Sequence, residues 1–309
     1  MSETPAEIPA DDAPDPAAAH QMLTQVVNYV NTTALQLPNL LAVRDTIGFE
    51  DRPREDEQGP TGISTMAAMP LHAVGKSSVT VTFRDHKEVL DKKAVKHGAQ
   101  IRGLFISGES GPILGVAVGD ALHGKITWSR WEQGANGKEA VFHYAVPSEK
   151  SHYPVQYCCQ YDGLRADTTP AMSPFEETVG YHGEIVFDPA SGAIHRITIE
   201  GELPHGELVS KASLMVEYSP IEIGGQKYIC PVRSVSNLMA FDGLLTGMIS
   251  MSNYRGPFKT YLKDVAFSQY RRFGTETRIL SDNSMAPGAP SGPASADSPN
   301  SNSSRAVTH

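Results

Sequence analysis

The sequence predicts a mainly β protein of the α+β kind: a large curved antiparallel sheet or half-barrel packed by an N-terminal helix. Three observations carry that expectation. From about residue 76 to residue 272 one strand-like segment follows another, many with the period-2 apolar alternation of half-buried strands. Turn signals punctuate them at Asn136-Gly137, at the DPASG run 188–192 and at Gly224-Gly225. A single convincing amphipathic stripe, Leu23, Val26, Val27 and Val30, recurs at i, i+3, i+4 and i+7. Many consecutive strands with one helix to cover them favour a sheet that curls around its lid.

Taken in order, residues 1–14 are rich in Pro, Ala, Asp and Glu and have little to bury, so they read as a disordered acidic tail. Asp15-Pro16 starts the helix, because Asp caps open amides and Pro is tolerated at the first helical position. The helix is expected over 16–33, its stripe against the sheet. In 41–50 the apolar set Leu41, Val43, Ile47 and Phe49 is expected to face the core, with Arg44, Thr46 and Glu50 on the other face. Residues 51–75 read as a long mobile loop. Strands follow at 77–84 (Val79, Val81, Phe83), near Val89-Leu90 and over Ile101–Ile106. GPILGVAVGDAL, 111–122, reads as a short buried helix that Pro112 can start.

Strands then follow at 126–131, 140–146, 155–161, 183–187, 193–200 and 211–218. Gly192 is expected to supply a positive φ at the end of the DPASG loop. Pro231 within 226–236 argues for an edge or a bulge. Residues 237–260 have no clear period, 261–272 read as the last strand, and 281–309 as a disordered Ser/Pro/Ala tail. The folded part is therefore one β-rich domain over 15–280.

The formal net charge is -9 over 309 residues. It belongs to the front end: residues 1–60 hold eleven acids and three bases, while 61–280 hold twenty-two of each. A neutral body without basic clusters offers no footprint for nucleic acid. No apolar run is long enough to be a transmembrane segment. The acidic start is not a signal peptide, which reads as cytoplasmic for the sequence as written; a missing leader would move the protein to the periplasm or cell envelope. Cys158 and Cys159 are neighbours, so at most one of them can face Cys230 across strands. Three thiols, or one disulfide from Cys230 to either neighbour, both fit the spacing.

HGEIVFDPASGAIHRITIE at 182–200, VEYSPIEIGGQKYICPVRSVS at 216–236 and LKDVAFSQYRRF at 262–273 resemble a run found in uncharacterised acidobacterial cell-envelope proteins. ALQLPNLLAVRDTIGFE at 34–50 and HGKITWSRWEQ at 123–133 fit the same pattern. More distantly, a helix plus a long strand meander is similar to periplasmic lipoprotein carriers of the LolA and LolB type and to the sensor domain of the RseB/MucB type. That resemblance implies a concave sheet face for acyl chains or a partner protein. It carries over no residue.

The chemistry-bearing residues are dispersed. His182 and His195 can meet across the DPASG hairpin beside Glu184, with His195 on the face of Ile197 and Ile199. His143 and His152 stand alone, and no pair has metal-ligand spacing. Asp162, Asp167, Glu176 and Glu177 read as solvated acids. Trp128 and Trp131 differ in strand parity, so one is expected inward and the other at a rim. No serine sits in a nucleophile elbow. No residue earns a catalytic or metal role, no cofactor is implied, and no residue stands out as a ligand contact. The expectation is a non-enzymatic binding module that holds an acyl chain, a lipid or a hydrophobic peptide in the concave sheet. The alternatives are a structural or docking protein with no ligand cavity, and a hydrolase with a dispersed site.

Overall fold

The computed structural model describes residues 13–32, 37–52, 69–84, 87–90, 103–105, 109, 112–135, 137–164, 170–203, 209–241 and 258–272. The tails, most of the loop expected over 51–75 and most of 242–260 lie outside these residues. In chain order the elements are α1 (Pro16–Thr32), β1 (Leu40–Arg52), β2 (Met69–Arg84), β3 (Lys87–Leu90), β4 (Gly103–Leu104) and α2 (Pro112–His123). Then come β5 (Lys125–Gly134), β6 (Gly137–Val146), β7 (Pro154–Leu164), β8 (Pro170–Thr178), β9 (Gly180–Phe187), β10 (Ile194–Glu202), β11 (Val209–Ile223), β12 (Gln226–Phe241) and β13 (Phe258–Arg272).

Mainly β character with a large antiparallel sheet is correct; the curved half-barrel is not. Ten strands form one open sheet in the order β3-β2-β1-β13-β12-β11-β10-β9-β6-β5, so β3 and β5 are its two edges. Two departures from a simple meander explain the difference. The last strand, β13, inserts between β1 and β12. The segments expected as successive strands near 101–106 and 155–161 leave the large sheet and pair with β8 as a separate three-stranded sheet, β4-β7-β8. Strand β8 carries Pro170 and Pro174 and was not expected at all. No described helix is long and apolar enough to cross a membrane.

Register defines the buried face. Val216 faces Ile197, Ile197 faces Ile185, and Ile185 faces Phe142, each directly across the ladder. All four are buried and belong to one core cluster, which also takes in Met22, Val26, Tyr29 and Val30 of α1 and Ile113, Leu114, Ala117, Val118 and Ala121 of α2. Both helices and the inner residues of the small sheet, such as Tyr157, therefore cover the same face. Asp15 caps α1 as expected, its Oδ1 accepting the Ala18 amide at 2.8 Å. The buried stripe of α1 is rotated from the predicted one. Met22, Val26, Tyr29 and Val30 are buried, while Leu23 and Val27 are only partly so.

In β1 the expected faces are exchanged. Leu40 and Ala42 pair with Phe83 and Val81 on the buried side, which turns Arg44 inward and leaves Val43, Ile47 and Phe49 half-buried on the other face. Pro231 is not on an edge strand, since β12 lies between β11 and β13. It sits at a register shift where Glu217 pairs with Arg233 and Tyr218 with Pro231, so the bulge alternative holds.

The DPASG hairpin forms as expected. Asp188 Oδ1 and Oδ2 accept the amides of Ala190 and Ser191 at 3.2 Å each, and the Gly192 amide closes on the Asp188 carbonyl at 2.8 Å. Gly192 has φ +73°, and a Cβ there would lie 2.3 Å from the Gln25 carbonyl carbon. The turn thus needs glycine both for its backbone and for the close approach of α1. Gly192→Ala is expected to destabilise by more than about 1 kcal/mol. Val26→Asp is expected to cost about 3 kcal/mol or more by burying an unpaired carboxylate. Urea midpoints of the two variants check both; unchanged midpoints would refute the docking of α1.

Candidate functional site

Bulges decide where several candidate side chains point. A register shift between Ile194 and Arg196 takes His195 off the face of Ile197 and Ile199. Its Nδ1 lies 2.6 Å from Glu139 Oε1, beside Asp188 and Ser191, in a pocket of about 200 Å³. His182 is not with it. His182 faces Glu202 at 3.4 Å and lies beside the ring of His143, 5.9 Å away between centroids. Glu184 turns to Arg130, which donates to it at 2.5 and 3.0 Å and also pairs with Glu132. Those Arg130 hydrogen bonds hold the Glu184 carboxyl below the usual carboxylate range, against the opposing effect of its partial burial. The expected His182–His195–Glu184 group is thus divided among three sets of partners.

A second shift, between Trp128 and Arg130, overturns the parity argument for the tryptophans. Trp128 and Trp131 lie together, centroids 4.7 Å apart and edge to face, and Trp128 also meets Phe142 edge to face. Both are partly buried against the core. Cys230 is a buried free thiol, and burial raises its pKa to about 12. The side chains of Cys158, Cys159 and Asp162, and all of Asp167, lie outside the described residues. Glu176 is exposed and Glu177 half-buried on β8.

Two buried carboxylates that the sequence reading passed over organise the interior. Glu109 is fully buried; its Oε1 accepts from Arg44 Nη2 at 3.0 Å and from Ser234 Oγ at 3.4 Å. Arg44 also approaches Glu88 at 3.6 Å, and the side chains of Arg44 and Glu88 are 12% and 3% exposed. On the same sheet face, Lys263 donates to the Leu104 carbonyl at 3.0 Å and so ties β13 to β4. Glu109 Oε2, Arg44 Nε and Tyr218 Oη meet no partner among the described residues. A buried ionic patch satisfied only in part is a cost in stability, not a gain.

The second carboxylate is Asp120, on the buried face of α2. Its Oδ2 accepts the His152 amide at 2.7 Å and the Tyr181 hydroxyl at 3.0 Å, and its Oδ1 lies 2.7 Å from His152 Nδ1. The Asp120 side chain is 6% exposed and that of His152 77% exposed. Burial, and then the neighbouring Asp120 charge, raise the Tyr181 phenol well above its usual range, so it stays a donor. An ionised carboxylate only accepts hydrogen bonds, so His152 Nδ1 carries the proton and donates, and Nε2 is the nitrogen turned away from Asp120.

His152 stands at a groove of about 170 Å³ that runs between α2 and the start of β7. Pro112, Ile113 and Val116 come from α2, Tyr153, Pro154 and Gln156 from the β7 side, and Phe105 from the end of β4. Phe105 is held there by its amide, which donates to the Gln156 carbonyl at 2.7 Å, yet it remains 50% exposed. The elements that build the groove come from three parts of the chain: the helix 112–123 and the strands near 101–106 and 155–161 were each expected, but not their meeting. Asp120 could have been singled out as the one acid in an apolar helix. His152 lies thirty-two residues away and gave no signal.

No family model, no curated protein and no solved structure matches the chain. Function therefore has to be argued from the site.

Burial first, and then the charge of Arg44, lower the Lys263 pKa from 10.5 to about 8, with Glu109 working the other way. A depressed lysine is charged more readily in the unfolded chain, so its contribution to stability improves as pH rises from about 8 toward 10.5. Lys263→Met should remove that gain. The wild-type-minus-variant difference in unfolding free energy should therefore rise across this window. A flat difference would show that the ammonium is not buried as described.

Proposed function

We propose that this chain is a binding module whose groove between α2 and β7 takes a small hydrophobic group. The observation that carries the reading is the combination of an apolar lining with an exposed Phe105 at its edge. Large aromatic side chains left in water beside an apolar concavity favour ligand burial. Size limits the ligand. Pockets that enclose whole small molecules run to about 300–1,000 Å³, and this groove is about 170 Å³. It suits a short acyl chain or one apolar side chain of a peptide better than a complete lipid. The driving force is apolar burial, about 25 cal/mol per Å² before ordering costs.

A titration with sodium octanoate followed by backbone amide NMR tests this. Saturable shifts are expected at Phe105, Ile113, Val116 and Tyr153, and Val116→Trp should abolish them by filling the groove. Shifts that do not saturate, or that persist in Val116→Trp, would favour the competing view of a scaffold with no ligand.

A further inference from the structure

We propose that Asp120 and His152 form a general-base pair and that the groove beside them is a hydrolytic site for esters of short acyl groups. The proposal rests on the groove being an apolar ligand site, and adds chemistry to it. Three donors converge on the Asp120 carboxylate: the His152 amide, the Tyr181 hydroxyl and His152 Nδ1. Both carboxylate oxygens are therefore engaged, and the imidazole is fixed in orientation and tautomer. A base held in this way by a buried acid presents its other nitrogen to a reacting group, here at the groove wall.

Asp120 from α2 faces His152, and Tyr181 from β9 donates to the same carboxylate. The nearby Lys150 ammonium is engaged elsewhere, donating to the His123 carbonyl at 2.7 Å. The Ser151 hydroxyl accepts the Tyr153 amide at 3.1 Å. Water is the nucleophile. His152 Nε2 takes one proton from it as the water oxygen bonds to the acyl carbonyl carbon. The tetrahedral adduct then collapses, the ester C–O bond breaks, and the proton on Nε2 passes to the departing alkoxide. A carboxylic acid and an alcohol leave, with no change of oxidation state. Gln156 lines the groove, and its carboxamide is assigned to donate to the carbonyl oxygen. His152 is the catalytic residue, and Asp120 and Tyr181 are positioning residues.

The test is hydrolysis of p-nitrophenyl butyrate by the full chain, compared with free imidazole at equal concentration. A general base contributes about 100- to 10,000-fold, so His152→Gln should lower kcat/KM at least about 100-fold while octanoate still binds. Asp120→Asn should lower kcat more than it raises KM and move the acidic limb of the pH profile toward lower pH. A residue that only supports the fold would leave that limb in place. Turnover no faster than imidazole, or an unchanged rate in His152→Gln, overturns the proposal. If octanoate nevertheless shifts the groove residues, the binding module stands and only the chemistry falls. If octanoate does not bind, both readings fall together.

Discussion

The structure depends on covering one face of a ten-stranded sheet. An open antiparallel sheet of this width presents a long row of inward side chains, here from Phe142 through Ile185, Ile197 and Val216 to Val81 and Phe83. None of these can face water without forfeiting the burial that stabilises the fold. No single segment is large enough to cover them. The cover is assembled from α1, α2 and the inner side of the three-stranded sheet, drawn from residues 16–32, 112–123 and 154–178. That assembly makes the sheet a scaffold and leaves a seam between α2 and β7, where the groove lies.

The seam that matters here is set by two carboxylates, one on either side of α2. Glu109 lies just before the helix and reaches Arg44 and Ser234 on the sheet. Asp120 lies in its C-terminal half and reaches Tyr181 of β9 and the chain at His152. Apolar packing alone allows a smooth helix such as α2 to slide; directional polar contacts at both ends fix its position along the sheet. The same contacts place Ile113 and Val116 opposite Tyr153 and Pro154, and so they define the groove. The polar contacts that hold α2 on the sheet thus also give the groove its shape.

How much of this was legible follows from the kind of signal each part leaves. Local patterns were readable. The helix itself, the Asp15 cap, the Asp188–Gly192 hairpin and the Gly224-Gly225 turn each depend on residues within a few positions of one another. Shape and partnership were not readable. The insertion of β13 beside β1 and the separation of β4, β7 and β8 are long-range choices that alternation does not encode. Single-residue bulges at Ser129 and His195 reversed the facing of Trp131 and His195, because the strand period is two and one extra residue inverts it. Arg44 shows the remaining limit. Its apolar neighbours suggested the opposite face, and only the distant Glu109 explains why an arginine points inward. Asp120 was passed over and His152 read as standing alone for the same reason: two polar residues far apart in sequence are brought together only by the fold.

The central claim is that the covers and the sheet they protect form one cooperative unit. Native-state hydrogen exchange measures this directly, since local openings and global unfolding release amides at different free energies. The account predicts that the amides of α1 and α2 exchange with the same free energy as Ile185 in β9 and Ile197 in β10, while the unpaired edge of β5 exchanges sooner. Release of α2 at a free energy well below that of β9 and β10 would contradict it. The helix would then be a loosely held flap, and the Asp120 contacts would not fix the groove.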